Sequence, residues 1–292
     1  MKNTIKEQIN SLFMECMSCE ITKQELDKEQ QEVAKQLHKL KPTDFKEVYD
    51  YFYSLTDNAR KEFGQTQETK KRLEDFIEGE LWKSGFVEIV HKLKRPEVAR
   101  ILSALNPTNI LDLGAGSGAL FKELFSLGYN GNATALDKEI CLTLEERAEE
   151  YGFGILKRDF NELITRALGY NFDVVVGFSA LHYLPYEKLD KLIKKINAKY
   201  YVVVEPFDDI PENKSLAEKL KIKNKELGEE GGIFNEKQLD KTFAANGFSE
   251  VYSHTFEVDI LGRRMTVKVY AKEGYEEEAA DKLQEITKKY IN

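Results

Sequence analysis

Residues 109–118, Asn-Ile-Leu-Asp-Leu-Gly-Ala-Gly-Ser-Gly, constrain the fold more than any other part of the chain. An apolar run ends at Asp112, and three glycines follow at alternate positions. This pattern is typical of a buried strand that leads through a tight turn into a helix. Glycine lets the backbone of such a turn approach a ligand closely, and the N–H groups at the start of the helix face that ligand. The segment therefore predicts an α/β fold that binds a nucleoside-like cofactor at this turn.

Two cofactors suit a glycine-rich turn of this kind. The dinucleotide pattern G-x-G-x-x-G/A is met by Gly114, Gly116 and Ala119, and Asp137 follows at the expected distance. Asp112 favours the other cofactor, because a carboxylate before the first glycine would repel the pyrophosphate of NAD. The same carboxylate suits a cofactor with a cationic amino-acid tail. An NAD-dependent oxidoreductase is therefore the less favoured alternative.

The string D-x-G-x-G-x-G at residues 112–118 resembles motif I of the class I S-adenosylmethionine (SAM)-dependent methyltransferases. The resemblance extends over about residues 93–273, because further apolar segments follow in the order of that family. Three of these segments are predicted strands, at residues 133–137, 154–160 and 200–206. The fourth, residues 172–184, is a predicted strand with the loop after it.

The resemblance implies roles for residues at the ends of these strands. Asp137 would accept hydrogen bonds from both ribose hydroxyls, Asp159 and the backbone after it would hold the adenine, and Phe160 could pack on the adenine ring. The carboxylate of Asp112 would bind the amino-acid tail through intervening groups. The expected cofactor-binding residues are Asp112, Gly114, Ala115, Gly116, Gly118, Asp137, Lys138, Asp159, Phe160, Phe178 and Ser179.

Residues 172–184 resemble motif IV of the same family, in which a buried strand precedes a loop beside the reacting methyl group. His182 and Tyr183 in this loop are the candidate catalytic residues. The imidazole could take a proton from a hydroxyl, amine or thiol during transfer, or it could have a structural or lining role. Tyr183 could line the same pocket or pack on the next helix. Glu205, at the end of the fifth strand, could contact the substrate or brace the fold.

The last third of the chain separates the two cofactor classes further. Residues 235–246 have helical spacing, and residues 251–258 and 265–271 alternate as the two strands of an antiparallel hairpin. A dinucleotide-binding half would instead repeat βαβ units. We therefore predict a seven-stranded, mostly parallel, doubly wound sheet with a C-terminal antiparallel hairpin. This SAM-dependent methyltransferase domain would span residues 93–274, with one C-terminal helix over 275–292.

Residues 1–92 have few glycines and apolar residues at helical spacing, which predicts an all-α domain of four helices. A break at Lys41 and Pro42 would place the N-cap of the third helix at Thr43 or Asp44, and the fourth helix would end near Gly85. The domain could act as a lid, a substrate-binding element or a dimer interface. The stripe of the first helix comprises Ile5, Ile9, Leu12, Cys16 and Cys19.

Cys16 and Cys19 form a C-x-x-C pair, but no second pair or histidine motif completes a zinc site, so we predict packing and no metal. Three cysteines do not make a disulfide framework, which favours a reduced, cytoplasmic protein. The chain lacks an apolar run long enough for a membrane span. Its net charge of −8 argues against a nucleic-acid partner.

We therefore expect a methyltransferase that transfers the SAM methyl group, by in-line displacement, to a nucleophilic atom of a small-molecule acceptor. The alternatives are a protein methyltransferase and a non-catalytic SAM-binding regulatory or scaffold protein. The acceptor pocket is expected from residues 207–234 and from the aromatic helix around residues 49–53. The N-terminal helices would also serve a homodimer.

Overall fold

The computed structural model describes residues 1–63, 66–165, 171–208, 210–213 and 234–291, and the chain divides into two compact units. The first unit consists of Met1–Lys92 with Gly116–Ala119 and Glu139–Glu150. The second consists of Leu93–Ala115, Leu120–Lys138 and Tyr151–Asn292. The domain boundaries from sequence stay a prediction, and most of the expected acceptor segment 207–234 lies outside the described residues.

The first unit contains the N-terminal helices expected from the apolar spacing. Their buried faces carry large apolar side chains, among them Ile5, Phe45, Phe52 and Phe76, which pack as a common core. The helices are α1 (Lys2–Ser18), α2 (Lys23–Leu37), α3 (Pro42–Phe63), α4 (Gln67–Ile77), a π-helical segment (Leu81–Val87) and α5 (Glu88–His91).

Three details of these helices differ from the sequence prediction. Helix α1 ends at Ser18, and Cys19 adopts a left-handed C-cap with φ of 64°, so Cys19 is exposed while Cys16 is buried. The prediction that both cysteines share the buried stripe is therefore wrong for Cys19. Helix α3 begins at Pro42, since proline suits the first helical position, and this places Thr43 and Asp44 inside the first turn.

The fourth predicted helix is divided into separate helical segments in the structure. Helix α4 stops at Ile77, and a π-helical segment carries the chain through Gly85 to Val87. A Cβ added at Gly85 would lie 3.0 Å from Leu37 Cδ1, so this glycine permits close packing on α2 rather than ending a helix.

The second unit is built on a seven-stranded sheet with the order β3-β2-β1-β4-β5-β7-β6. Strands β1 to β5 pair in parallel, whereas β7 runs antiparallel to both β5 and β6. This arrangement confirms the predicted fold class. The strands are β1 (Asn109–Leu113), β2 (Asn132–Asp137), β3 (Gly154–Lys157), β4 (Asn171–Phe178), β5 (Asn197–Glu205), β6 (Phe248–Thr255) and β7 (Thr266–Lys272).

The central strands β4 and β5 each contain a continuous apolar run, because both faces of a parallel sheet are covered. Val174 to Val176 of β4 and Val202 to Val204 of β5 are fully buried. The register places Leu113 of β1 beside Leu136 of β2 and Gly177 of β4. The carboxyl ends of the parallel strands therefore lie along one edge of the sheet, where α/β folds place their sites.

Helices connect and flank these strands. Strand β3 is shorter than the predicted segment 154–160, because Asp159 Oδ1 accepts a hydrogen bond from the backbone N–H of Asn161 at 2.6 Å and helix α9 begins at Phe160. Among the described residues, no helix has the length and apolarity to cross a membrane. The helices are α6 (Arg95–Leu105), α7 (Ala119–Ser126), α8 (Leu142–Tyr151), α9 (Phe160–Thr165), α10 (Tyr186–Lys195), α11 (Glu236–Ala244) and α12 (Glu276–Ile291).

Candidate active site

Asp112 is the penultimate residue of β1 and is almost completely buried. Its Oδ1 atom has no hydrogen-bond partner among the described residues. Burial, and secondly the carboxylate of Asp137, raise the pKa of Asp112 to about 7, and the charge of Arg95 acts in the opposite direction. A buried acceptor without a partner is unfavourable in isolation, which indicates that a donor or cation from a ligand completes this position.

The glycine turn after β1 is held against β2. The N–H groups of Gly114 and Ala115 both donate to the carbonyl of Leu136, at 2.8 and 3.0 Å. Gly114 has φ of 73°, and a Cβ built there would lie 2.5 Å from Cβ of Ala180, so the chain needs glycine at this position. The turn thereby brings β1, β2 and the loop after β4 close together in the second unit.

Gly116 and Gly118 also have left-handed backbone conformations, with φ of 59° and 73°. Both glycines belong to the first unit. A Cβ added at Gly116 would have open space around it, since apart from its chain neighbours no described heavy atom lies within 4 Å. Their contact with the cofactor stays a prediction.

The predicted ribose and adenine residues lie at the ends of β2 and β3. Asp137 closes β2 and is 8% exposed, while the next residue, Lys138, is exposed. Asp159 stabilises the first turn of α9, and Phe160 packs against the core on the same side as Leu163. These positions are compatible with cofactor binding, and the individual contacts stay predictions.

Phe178 is the last residue of β4, and Ser179 follows it at this edge. Ser179 has φ of 54°, a conformation that costs a non-glycine residue energy and is often found at functional sites. Its N–H donates to the carbonyl of Val204 at 2.8 Å, which fixes the strained turn. The guanidinium carbon of Arg95 lies 6.0 Å from the ring centroid of Phe178.

Arg95 is not among the residues that the sequence motifs predict for the site. It begins α6, is 8% exposed, and lies near enough to Asp112 to lower the pKa of that carboxyl. Arg95 thus adds a buried cation whose charge acts on the buried carboxyl of Asp112. The available signal in the sequence was a basic residue with a following proline at the start of the helix that precedes β1.

His182 lies in a short 3₁₀ turn (Leu181–Tyr183) after β4, and its Nδ1 atom lies 2.7 Å from Oε2 of Glu205. Glu205 is fully buried at the end of β5. Its other oxygen, Oε1, accepts hydrogen bonds from the backbone N–H groups of Ala180 and Leu181, at 2.9 and 2.7 Å. An ionised carboxylate can only accept, so in the neutral imidazole this contact assigns the proton to Nδ1 and the lone pair to Nε2.

Glu205 therefore braces the loop and contacts the imidazole, and its contact with a substrate stays a prediction. Tyr183, in contrast to the buried Glu205, is 61% exposed. Its ring centroid lies 4.4 Å from that of His182. Its catalytic role stays a prediction.

The charges at this edge fit the group that the glycine turn predicts. An α-amino-acid tail carries an ammonium, which the buried carboxylate of Asp112 would bind, and a carboxylate, which the guanidinium of Arg95 would bind. Asp137 supplies an acceptor for ribose hydroxyls. These residues therefore fit SAM.

Comparison with models of protein families and with curated proteins yields no match. Comparison with solved structures does. An O-methyltransferase from neocarzinostatin biosynthesis, crystallised with S-adenosylhomocysteine (SAH) and 1,4-dihydroxy-2-naphthoic acid, is 13% identical with a TM-score of 0.54, over 75% of this chain and 69% of that chain. Human N-acetylserotonin methyltransferase in complex with SAM is 20% identical with a TM-score of 0.53, over 73% of this chain and 62% of that one.

Mitomycin 7-O-methyltransferase is 17% identical with a TM-score of 0.51, over 75% of this chain and 60% of that one. The chain thus spans about three fifths of the length of this enzyme and of the human one. At such identities the likeness concerns the fold, and the strand order agrees with it. The chain has the fold of the class I SAM-dependent methyltransferases.

Proposed function

We propose that the protein is a SAM-dependent methyltransferase that acts on a hydroxyl group of a small molecule. The observation that carries this proposal is the pair of His182 and Glu205 at the same strand-end edge as Asp112. One part of the edge offers a base with a lone pair on Nε2. The other part offers the carboxylate of Asp112, whose Oδ1 atom has no hydrogen-bond partner among the described residues and would bind a cationic tail.

The cofactor residues act by binding and orientation. Asp112 and Arg95 hold the two charges of the amino-acid tail, Asp137 binds the ribose, and Asp159 with Phe160 borders the adenine. Bound SAM supplies a methyl group that its positive sulfur already activates, so the protein needs to align the acceptor and exclude water.

His182 performs the proton transfer. With SAM bound, its Nε2 atom would accept the proton of the acceptor hydroxyl as that oxygen takes the methyl group. The Nδ1–H group remains bonded to Glu205, which stabilises the imidazolium until the proton leaves to solvent.

The names of the structurally similar enzymes support a small acceptor with a hydroxyl. Mitomycin 7-O-methyltransferase and the neocarzinostatin O-methyltransferase are named for transfer to oxygen, and the latter was crystallised with a dihydroxynaphthoic acid. No observation favours the protein-methyltransferase alternative or the non-catalytic one. A cytoplasmic location and a homodimer through the N-terminal helices complete the proposal.

Calorimetric titration with SAH, with NAD⁺ as the parallel ligand, tests the cofactor. We expect micromolar binding of SAH alone. Methyl transfer from labelled SAM to a panel of phenols, naphthols and aliphatic alcohols then tests the acceptor class. Binding of NAD⁺ alone would refute the cofactor, and SAH binding without transfer to any hydroxyl would refute the acceptor class.

A further inference from the structure

We propose that Glu88 and Arg147 are positioning residues, which hold the glycine turn at residues 116–118 in the shape that receives the cofactor's amino-acid tail. The inference rests on the proposed function. It gives the N-terminal helical region a part in cofactor binding, beyond the lid, substrate-binding and dimer roles expected from the sequence.

The contacts all lie within the first unit and converge on Ser117, the residue between Gly116 and Gly118. The hydroxyl of Ser117 donates to Oε1 of Glu88 at 2.5 Å. Nη1 of Arg147 donates to the same Oε1 atom at 2.5 Å, and to the carbonyl and hydroxyl oxygens of Ser117, each at 3.0 Å. A second bond joins Nη2 of Arg147 to Oε2 of Glu88 at 3.3 Å.

Ser117 is buried and its two charged partners are largely shielded from water, which makes the arrangement specific. Ser117 is 3% exposed, and the side chains of Glu88 and Arg147 are 11% and 13% exposed. Charged hydrogen bonds away from water are strong, and loss of one partner leaves the other uncompensated. The carbonyl of Gly116 also accepts a bond from the thiol of Cys141 at 3.5 Å. Residues of α5 and α8 therefore hold the turn through the side chain and the carbonyl of Ser117.

A turn with two left-handed glycines has many accessible conformations when nothing constrains it. Binding a ligand to such a turn would cost the free energy of ordering it. The Glu88–Arg147 pair removes that cost in advance by holding Ser117. Because the backbone N–H groups after the turn open helix α7, the group that gains most is the anionic carboxylate of the amino-acid tail.

Two ligands separate this positioning role from a general effect on folding. SAH carries the amino-acid tail, whereas 5′-methylthioadenosine has the same adenosyl thioether without it. We expect Glu88→Gln to raise the dissociation constant of SAH about tenfold and that of 5′-methylthioadenosine less than twofold. Arg147→Met should give the same selective loss.

Glu80→Gln is the matched control. Glu80 is fully buried in the same unit, and its carboxylate accepts hydrogen bonds from the hydroxyl and the N–H of Thr143 at the start of α8, with 3.2 Å to the latter. We expect this variant to change the two dissociation constants by the same factor, even where it lowers the midpoint of thermal unfolding as much as Glu88→Gln does.

Ser117→Ala keeps the experiment decisive if Glu88→Gln does not fold, since it removes only one hydroxyl. We expect a selective weakening of SAH and faster hydrogen exchange of the amides of residues 116–119. An unchanged ratio of the two dissociation constants in both variants would overturn the inference while the proposed function stands. If the wild-type protein binds neither ligand, both are overturned.

Discussion

Nδ1 of His182 lies 2.7 Å from Oε2 of Glu205, although 23 residues separate the two along the chain. Strands β4 and β5 are parallel neighbours, so their carboxyl ends deliver both side chains to one place. Glu205 also accepts bonds from two backbone N–H groups of the loop that carries His182. One buried carboxylate thus fixes the position of the loop and the tautomer of its histidine.

His182→Asn tests the base. The asparagine amide can still donate to Glu205, but it has no atom in place of Nε2. We expect the rate of methyl transfer at saturation to fall by about 10²- to 10⁴-fold. Titration should show SAH affinity within about twofold of wild type, because the change removes only the proton acceptor. A retained rate would show that the reaction needs no base at this position.

Glu205→Gln tests the tautomer. The glutamine carbonyl can still accept the two backbone bonds, but its NH₂ group would donate to Nδ1 and place the imidazole proton on Nε2. We expect a rate loss of about a hundredfold or more, from a change that keeps the volume of the side chain. Adding His182→Asn to this variant should cost little further, because the two residues act as one unit. Independent, additive losses in the double variant would contradict the model.

Asp112→Asn tests the buried carboxylate through the pH dependence of stability. The pKa of Asp112 is raised from 3.8 to about 7, so between those values the ligand-free folded protein binds more protons than the unfolded chain. Its stability therefore falls as pH rises through this window. The groups that act on this carboxyl are Asp137 of β2, which raises its pKa, and Arg95 of α6, which lowers it.

Asparagine removes the charge, so the variant should exceed wild type in free energy of unfolding by up to about 4 kcal/mol at pH 8. The gain should shrink to about 1–2 kcal/mol at pH 5, where the native carboxyl is protonated. Urea unfolding at both pH values measures the difference, and SAH affinity should be lost. An equal gain at both pH values would exclude the raised pKa.

Arg95→Met tests the cation at the tail. Methionine keeps much of the length and apolar contact of the side chain, while the charge beside Phe178 is removed. We expect SAH to bind about 30-fold more weakly and 5′-methylthioadenosine to bind as before, since only SAH carries the carboxylate. Arg100→Met, the same change at an exposed position of the same helix, is the control. Equal affinity loss for both ligands would assign Arg95 to the fold instead.

Gly114→Ala tests the closeness of the turn to the loop after β4. The added Cβ would lie 2.5 Å from Cβ of Ala180 in a residue with φ of 73°. We expect a loss of about 2–4 kcal/mol in the free energy of unfolding, from the steric overlap and the left-handed backbone together. Ala180→Gly in the same chain should restore the overlap portion. A double variant no more stable than Gly114→Ala alone would exclude this contact as the cause.

The sheet was predictable because its signals are local. A buried apolar run, a glycine turn and an acid at the strand end each lie within a few residues, as at Asp112 and Asp137. The hairpin of β6 and β7 follows from alternation along two short segments. Cys19 was misplaced for the complementary reason: a helical stripe does not reveal where the helix ends, and the left-handed cap removes the residue from the stripe.

The polar contacts of the site were beyond the sequence. The bond between Glu205 and His182 depends on the register of β4 against β5, and Ser117 meets Glu88 and Arg147 only through the packing of helices on the turn. Neither contact corresponds to a residue spacing that can be recognised in a single sequence. Arg95 likewise becomes a candidate site residue only because Asp112 is buried, and the glycine motif does not reveal that burial.

The position of β7 between β5 and β6 determines how long one side of β5 stays unpaired during synthesis, and thus how long the chain is prone to aggregate. Until Thr266 to Lys272 have left the ribosome, β5 has unpaired backbone groups along one side, next to the apolar run of Val202 to Val204. Such an edge templates intermolecular strand pairing. A chain truncated before residue 266 should therefore sediment as an aggregate or bind chaperones, whereas the chain with β7 should remain dispersed.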